Sequence, residues 1–320
     1  MPLTFDMSWD KLQTYSGTNP RPEDFDTYWD DALAARSTVE PNPTITPSEF
    51  QTPYAICSDY TYTGIGGARI HAKLLQPRVI QSTHPAIIQF HGYGGNAGDW
   101  FDKLPWVALG FTVVALDCRG QGGDSEDFGG VPGNTKEGHI IRGIEGRKED
   151  LLYRSIYLDT VQLAHLVMAM PDVDPSRIGV FGSSQGGGLA LACAALVPQV
   201  NKVAAIHPFL SDFMRVWTID QDVEAYEEIR TYFRLRDPQH LHEQEFFTRL
   251  GYVDVQHLAN RIKGEVLMAV GLRDKICPPS TQFAAYNKIT APKHLAVYPD
   301  FAHETMRGFA DQLFQFFADL

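Results

Sequence analysis

The chain has 320 residues and a formal net charge of −12, with 44% hydrophobic and 21% charged residues. That is the balance of a globular protein with a substantial core, long enough for one large α/β domain with insertions or for two ordinary domains. The acidic surplus argues against a nucleic-acid binder, whose surface needs basic residues to neutralise phosphates.

The chain opens MPLTFDMSWDKLQTY. A secretory signal needs a basic start followed by an apolar stretch, which is absent here, and no apolar run approaches the length of a membrane span. The expectation is a cytoplasmic protein with no membrane partner. Residues 1–50 carry Trp9, Trp29, several prolines and acidic residues, with a helical stretch from Phe25 to Arg36. They read as an arm on the body of the protein, without a core of their own. The four cysteines, Cys57, Cys118, Cys193 and Cys277, form no CxxC pair. A zinc knuckle is therefore not expected, and their apolar surroundings suit buried free thiols, although an even number leaves disulfides open.

From Ala86 onward, short apolar runs alternate with longer amphipathic ones. Ala86–Phe90, Phe111–Leu116, Ile178–Phe181, Val203–Ile206, Val266–Val270 and Leu295–Val297 read as buried strands, bounded by Gly, Pro or Asp. Between them, Leu151–Met170 keeps apolar residues at helical spacing, and Gly187–Leu196 suits a helix pressed on a sheet. The last helix sets Phe309, Leu313, Phe316, Phe317 and Leu320 on one face. This alternation predicts one α/β domain over 1–320: a mostly parallel, twisted sheet with helices on both faces. Residues 211–263 are charged and aromatic and carry no clear buried strand, so they are expected to form a helical insertion, either a lid or an interface element.

The strongest local signal is IGVFGSSQGGG at Ile178–Gly188. An apolar strand runs into Gly182-Ser183-Ser184-Gln185-Gly186, and a helix of small residues follows. This is the Gly-x-Ser-x-Gly nucleophile elbow of the α/β-hydrolase fold, in which a strained turn lifts the serine hydroxyl above the strand ends. The glycines permit the tight turn, and the helix N-terminus aims N–H groups at developing negative charge. Ser184 is thus the candidate nucleophile.

A serine hydroxyl needs a base near neutral pH. Of the 11 histidines, His303 follows the last strand and precedes the last helix, where strand-end loops converge. His91 competes, but its place after an early strand suits an oxyanion loop better, and His207 is a candidate pocket residue. Asp274, in VGLRDKICPP after the penultimate strand, completes the chain order Ser, Asp, His that this fold uses, with Asp300 as the runner-up acid. The N–H groups of Gln185 and of Tyr93, in His91-Gly92-Tyr93-Gly94-Gly95, are the candidate oxyanion donors. Arg119, Gln121 and Glu304 read as structural supports, the guanidinium bracing loop carbonyls and carboxylates.

Four segments occur together: Arg119-Gly120-Gln121-Gly122-Gly123, the elbow, Gly271–Thr281 and His303-Glu304. With His91-Gly92-Tyr93 and Tyr153–Asp159, they resemble the acetyl xylan esterase / cephalosporin-C deacetylase family, carbohydrate esterase family 7. The resemblance implies deacetylation of acetylated sugars, xylo-oligosaccharides and cephalosporin-like acetates by Ser184, Asp274 and His303, without metal or organic cofactor. It also implies a cytoplasmic homohexamer. The alternatives are a peptidase or dienelactone-type hydrolase of the same fold, or a non-catalytic binding protein. Tyr93, Trp106, His207 and Phe209 are candidate contacts to the leaving alcohol.

Overall fold

A computed structural model describes residues 5–80, 82–128 and 139–320. Nine strands form one sheet: β1 (Thr44–Pro47), β2 (Ala55–Thr63), β3 (Arg69–Pro77), β4 (His84–Phe90), β5 (Thr112–Leu116), β6 (Val173–Ser183), β7 (Lys202–Ile206), β8 (Glu265–Gly271) and β9 (Lys293–Tyr298). Their spatial order is β1-β2-β3-β5-β4-β6-β7-β8-β9. β1, β2, β3 and β5 pair antiparallel in turn, and every pairing from β5 to β9 is parallel. The order reverses at β4, between β5 and β6, which opens a crevice above the carboxyl ends of these strands. This is the α/β-hydrolase architecture.

The central parallel strands β4, β5, β7 and β8 are largely buried on both faces, which is why they read as nearly unbroken apolar runs, whereas the edge strand β9 is only partly buried. Successive residues alternate between two layers. Ile88, Val114, Val180, Val203 and Met268 face one layer, shared with the helices Leu152–Met168 and Gln185–Leu196. Ile87, Val113, Phe181, Ala204 and Leu267 face the other, closed by Trp106, Leu313 and Phe317. Trp106 packs there against Phe181, Phe314 and Phe317. That layer lies across the sheet from the helix Gln185–Leu196, and no observed contact among the described residues joins Trp106 to Ser184 or His303.

Two expected boundaries also move. The sheet starts inside the N-terminal stretch, because β1 pairs with β2 as an edge strand. The helix after the elbow begins at Gln185 instead of Gly187. The rest of the arm is tied down by the body of the protein. Trp29 is fully buried, stacks on Tyr157 and donates its indole N–H to the Tyr252 carbonyl at 2.9 Å. Residues 211–263 form the helices Phe213–Thr218, Glu227–Leu235, Glu243–Leu250 and Val255–Leu258. Phe213, Phe233 and Phe247 of this segment lie in the main core. All four cysteines are buried free thiols, and among the described residues no helix is long and apolar enough to cross a membrane.

Candidate active site

The elbow is sterically dictated. Ser184 has φ 57° and ψ −119°, a left-handed backbone that a side chain rarely adopts and that marks stored strain. A Cβ at Gly186 would sit 2.1 Å from the Phe90 carbonyl oxygen, and one at Gly182 would sit 2.5 Å from the Gly186 oxygen. Only glycine lets β4, β6 and the helix approach this closely. Hydrogen bonds lock the turn, with Ser184 N–H donating to Ile206 O at 2.9 Å and Phe209 N–H donating to Ser184 O at 3.0 Å.

Asp274 and His303 meet across the loops after β8 and β9. His303 Nδ1 lies 2.8 Å from Asp274 Oδ2. Asp274 is fully buried, and its Oδ1 accepts the N–H groups of Ile276 and Cys277 at 2.9 and 2.8 Å. Gln282 Nε2 donates to Oδ2 at 3.3 Å. The carboxylate is thus oriented before it meets the imidazole. Burial pushes the Cys277 thiol well up; the charge of Asp274 adds to this, and the neighbouring Ser184 hydroxyl opposes it. Cys277 thus meets Asp274 through its N–H and Ser184 through its thiol. No direct hydrogen bond joins Ser184 to His303 among the described residues, a looseness common in unliganded sites whose contacts tighten around substrate. The runner-up acid, Asp300, is exposed.

Tyr93 N–H and Gln185 N–H have no protein acceptor among the described residues, which leaves both able to bond a ligand oxygen. Their two loops are sewn together by Gln121. Its Oε1 accepts Gly94 N–H at 2.9 Å and Gln185 Nε2 at 2.9 Å, and its Nε2 donates to Gln185 Oε1 at 2.7 Å. Tyr153 Oη donates to the same Gln185 oxygen at 2.8 Å. Arg119 forks onto buried Asp159 at 2.6 and 2.7 Å and reaches the Ile65 carbonyl at 3.0 Å. Glu304 accepts the Ala302 N–H at 3.1 Å, across the loop that carries His303.

His91 braces the loop that carries Tyr93. It accepts Cys118 N–H on Nε2 at 2.9 Å, which leaves Nδ1–H to donate to Gly92 O at 2.7 Å. Burial lowers its pKa, consistent with this neutral tautomer. The Tyr93 ring packs edge-on against His139 and Phe209. Glu228, from the 211–263 segment, accepts the N–H groups of residues 139 to 141 and so holds the far side of this wall.

A cavity of about 400 Å³ opens beside His303, with Ser183, His207, Met306, Phe309 and Leu313 in its wall. A larger one, about 660 Å³, lies by Arg119, Arg142 and Arg154 and touches none of Ser184, Asp274 or His303. The smaller touches His303 but not Ser184, Asp274, Tyr93 or Gln185. His207 lies 2.6 Å from Ser183 Oγ through Nε2, with its ring centroid 4.2 Å from that of His303. Burial first, then the charge of His303, pulls its pKa down to about 3, so it stays neutral.

Sequence reasoning missed Tyr153, Asp159 and Asp117 as individual supports. Asp117 accepts Ala97 N–H at 2.6 Å and Asp124 N–H at 3.1 Å, and lies 2.6 Å from His71 Nδ1. Its position two residues before Arg119, at the end of β5, was the available signal.

The family model for acetyl xylan esterase (AXE1) matches residues 1–320. The chain is similar to acetyl xylan esterase 1 from Thermoanaerobacterium sp. JW/SL YS485, with a TM-score of 0.97 and 58% identity over 98% of this chain and 99% of that one. It is similar to an acetyl xylan esterase from Paenibacillus sp. R4, with a TM-score of 0.93 and 34% identity over 98% and 99%. Acetyl esterase Axe7A of Xylanibacter ruminicola is 30% identical over 170 residues, 53% of this chain and 37% of that protein, so the chain spans little more than a third of that relative's length. With the full-length family match and the crevice above β4 and β6, the chain belongs to the acetyl xylan esterase (AXE1) family of carboxylic ester hydrolases.

Proposed function

We propose that this protein is a serine acetylesterase that removes acetyl groups from acetylated xylan and xylo-oligosaccharides through Ser184, Asp274 and His303. The observation that carries the reading is the His303 Nδ1–Asp274 Oδ2 hydrogen bond of 2.8 Å, formed next to a serine held at φ 57° on a strand-to-helix turn. Asp274 keeps the proton on Nδ1, so Nε2 carries the lone pair. That nitrogen takes the Ser184 proton as Oγ attacks the acetyl carbonyl. The Tyr93 and Gln185 N–H groups hold the oxyanion. His303 then protonates the leaving sugar oxygen, and an acetyl-serine remains. Water, activated by the same imidazole, releases acetate and restores the serine. These side chains account for every proton and electron pair in the cycle.

The aromatic wall of Tyr93 and Phe209 favours a short acyl group. Acetylated cephalosporins present the same small acyl on another alcohol and fall within the proposed substrate range. A cytoplasmic homohexamer is the proposed assembly, supported by the family resemblance.

The test compares hydrolysis of acetyl, butyryl and octanoyl esters and a peptide amide by wild type and Ser184→Ala. Acetyl esters are the expected best substrates, and the variant is expected to lose the activity. Undiminished hydrolysis by Ser184→Ala refutes the nucleophile, whereas preference for octanoyl or the amide refutes the acyl specificity. Sedimentation of a monomer at working concentration refutes the hexamer.

A further inference from the structure

Beside the Asp274–His303 pair stands a ligating side chain that the acyl-transfer cycle does not use. His207 follows β7, and its N–H is anchored on the Ala269 carbonyl at 2.8 Å. Its ring is 4% exposed. Nε2 lies 2.6 Å from Ser183 Oγ, while Nδ1 is buried with no hydrogen-bond partner. An unpaired N–H in such a place costs about 1–3 kcal/mol. The favoured tautomer therefore carries its hydrogen on Nε2, donated to Ser183, and a bare lone pair on Nδ1. A metal-ligating histidine is arranged in this way, with one nitrogen for the cation and the other N–H fixed by an outer acceptor. One donor atom each from His207, Asp274 and His303 lies within 4.8 Å of the other two.

We propose that His207, Asp274 and His303 form an inhibitory site for a borderline-soft divalent cation, Zn²⁺ foremost. Two imidazole nitrogens and a carboxylate oxygen are a donor set that Zn²⁺ accepts, with water as the fourth ligand. Asp274 Oδ1 is already held by two backbone N–H groups, so Oδ2 takes the cation. Tetrahedral coordination at zinc bond lengths puts donors roughly 3.3–3.5 Å apart, so the His303 Nδ1–Asp274 Oδ2 pair, now 2.8 Å apart, opens by about half an ångström, and wider separations in the trio, which reach at most 4.8 Å, close by about an ångström. Binding displaces the proton from His303 Nδ1, and the cation takes its place against Asp274. That proton moves through solvent to Nε2, the nitrogen that should accept the Ser184 proton, so the ring stays neutral in its other tautomer. The base is blocked while the fold stays intact. Magnesium and calcium, which take all-oxygen shells, do not compete. The inhibitory consequence rests on Ser184 and His303 acting as nucleophile and base; the binding does not.

The test titrates zinc chloride in a non-chelating buffer. Wild type is expected to lose acetylesterase activity at micromolar zinc, to regain it with EDTA, and to ignore millimolar magnesium. His207→Phe, scored against its own metal-free rate, is expected to need about tenfold more zinc or beyond, and His207→Gln serves if the first variant does not fold. Calorimetry on Ser184→Ala is expected to show a zinc site that Ser184→Ala/His207→Phe lacks, with cobalt substitution giving the visible bands of a tetrahedral centre. Equal zinc sensitivity with and without His207, or equal zinc binding by the two Ser184→Ala proteins, overturns the proposal. If wild type hydrolyses no ester at all, the functional reading has failed, and calorimetry and cobalt spectra still decide the cation site.

Discussion

Replacing Gln121 by alanine removes three hydrogen bonds that join the two sides of the proposed oxyanion site: Gly94 N–H to Oε1, Gln185 Nε2 to Oε1, and Nε2 to Gln185 Oε1. Water can replace the first, because Gly94 is exposed. Gln185 Oε1 keeps the Tyr153 hydroxyl at 2.8 Å, but Gln185 Nε2 falls back on a long 3.4 Å contact to His91 O. The net loss in global stability is therefore small, about 1–2 kcal/mol. The kinetic loss is more specific. Deleting an oxyanion donor outright costs about 2.7–4 kcal/mol. Here both donors survive and only their mutual placement loosens, so about 1–2 kcal/mol of transition-state stabilisation is expected to go. That is about a 5- to 30-fold fall in kcat, with KM nearly unchanged, because the oxyanion exists only past the ground state. Steady-state hydrolysis of an acetyl ester, with a denaturant melt on the same sample, measures both quantities. A folded Gln121→Ala protein whose kcat stays within about twofold of wild type would show that the oxyanion loop holds its position without this bridge.

The other expectations concern the acid, the brace, the elbow and a buried carboxylate. Asp274→Asn can still accept from Ile276 and Cys277 N–H, but its amide NH₂ faces His303 and enforces the wrong tautomer. A fall in kcat of about 10⁴ is expected, and one below about 100-fold contradicts the role given to Asp274. Arg119→Ala strands buried Asp159 without its guanidinium and should cost about 3–5 kcal/mol in denaturant unfolding; a loss under about 1 kcal/mol would mean the pair is worth no more than a surface one. Gly186→Ala drives a Cβ to 2.1 Å from the Phe90 oxygen, so the variant should lose both activity and thermal stability, and a wild-type melt would contradict the elbow geometry. Asp254 is fully buried, and burial, followed by the charge of Asp212, raises its pKa from 3.8 to about 7. The folded state therefore holds the proton that the unfolded state has released. This contribution is fully present below the ordinary value and declines as pH rises through about 7, by at most about 1.4 kcal/mol per unit. Asp254→Asn keeps an acceptor for the N–H groups of Asp212 and Gln256 and should flatten the slope in urea melts from pH 4 to 7 (~3 units,); an unchanged slope would assign it to other groups.

The parallel half of the sheet was legible because its central strands carry short stretches buried on both faces, which appear as apolar runs. β2 and β3 gave no such mark. They place Ser58, Asp59, His71 and Lys73 among their apolar residues, and their place in the sheet comes from pairing with each other and with β5. β6 begins at Val173 instead of Ile178, because its start is set by a partner, His84, on β4.

At the site the division is similar. Gly182, Ser184 and Gly186 announce themselves because one local turn needs all three at fixed spacing, and the order Ser184, Asp274, His303 follows from which strand precedes each. The sequence by itself therefore determined the fold class, the elbow and the candidate nucleophile, acid and base, since each depends on a single strand and the loop after it. Only the tertiary structure decided what surrounds them. Gln121 could reach both Gly94 and Gln185, Tyr153 could find the same amide, and His207 could lie against His303 only once β4, β5, β6 and β7 had come side by side. Hydrogen bonds between residues tens of positions apart depend on strand order and register, and no local pattern of residues encodes those distances.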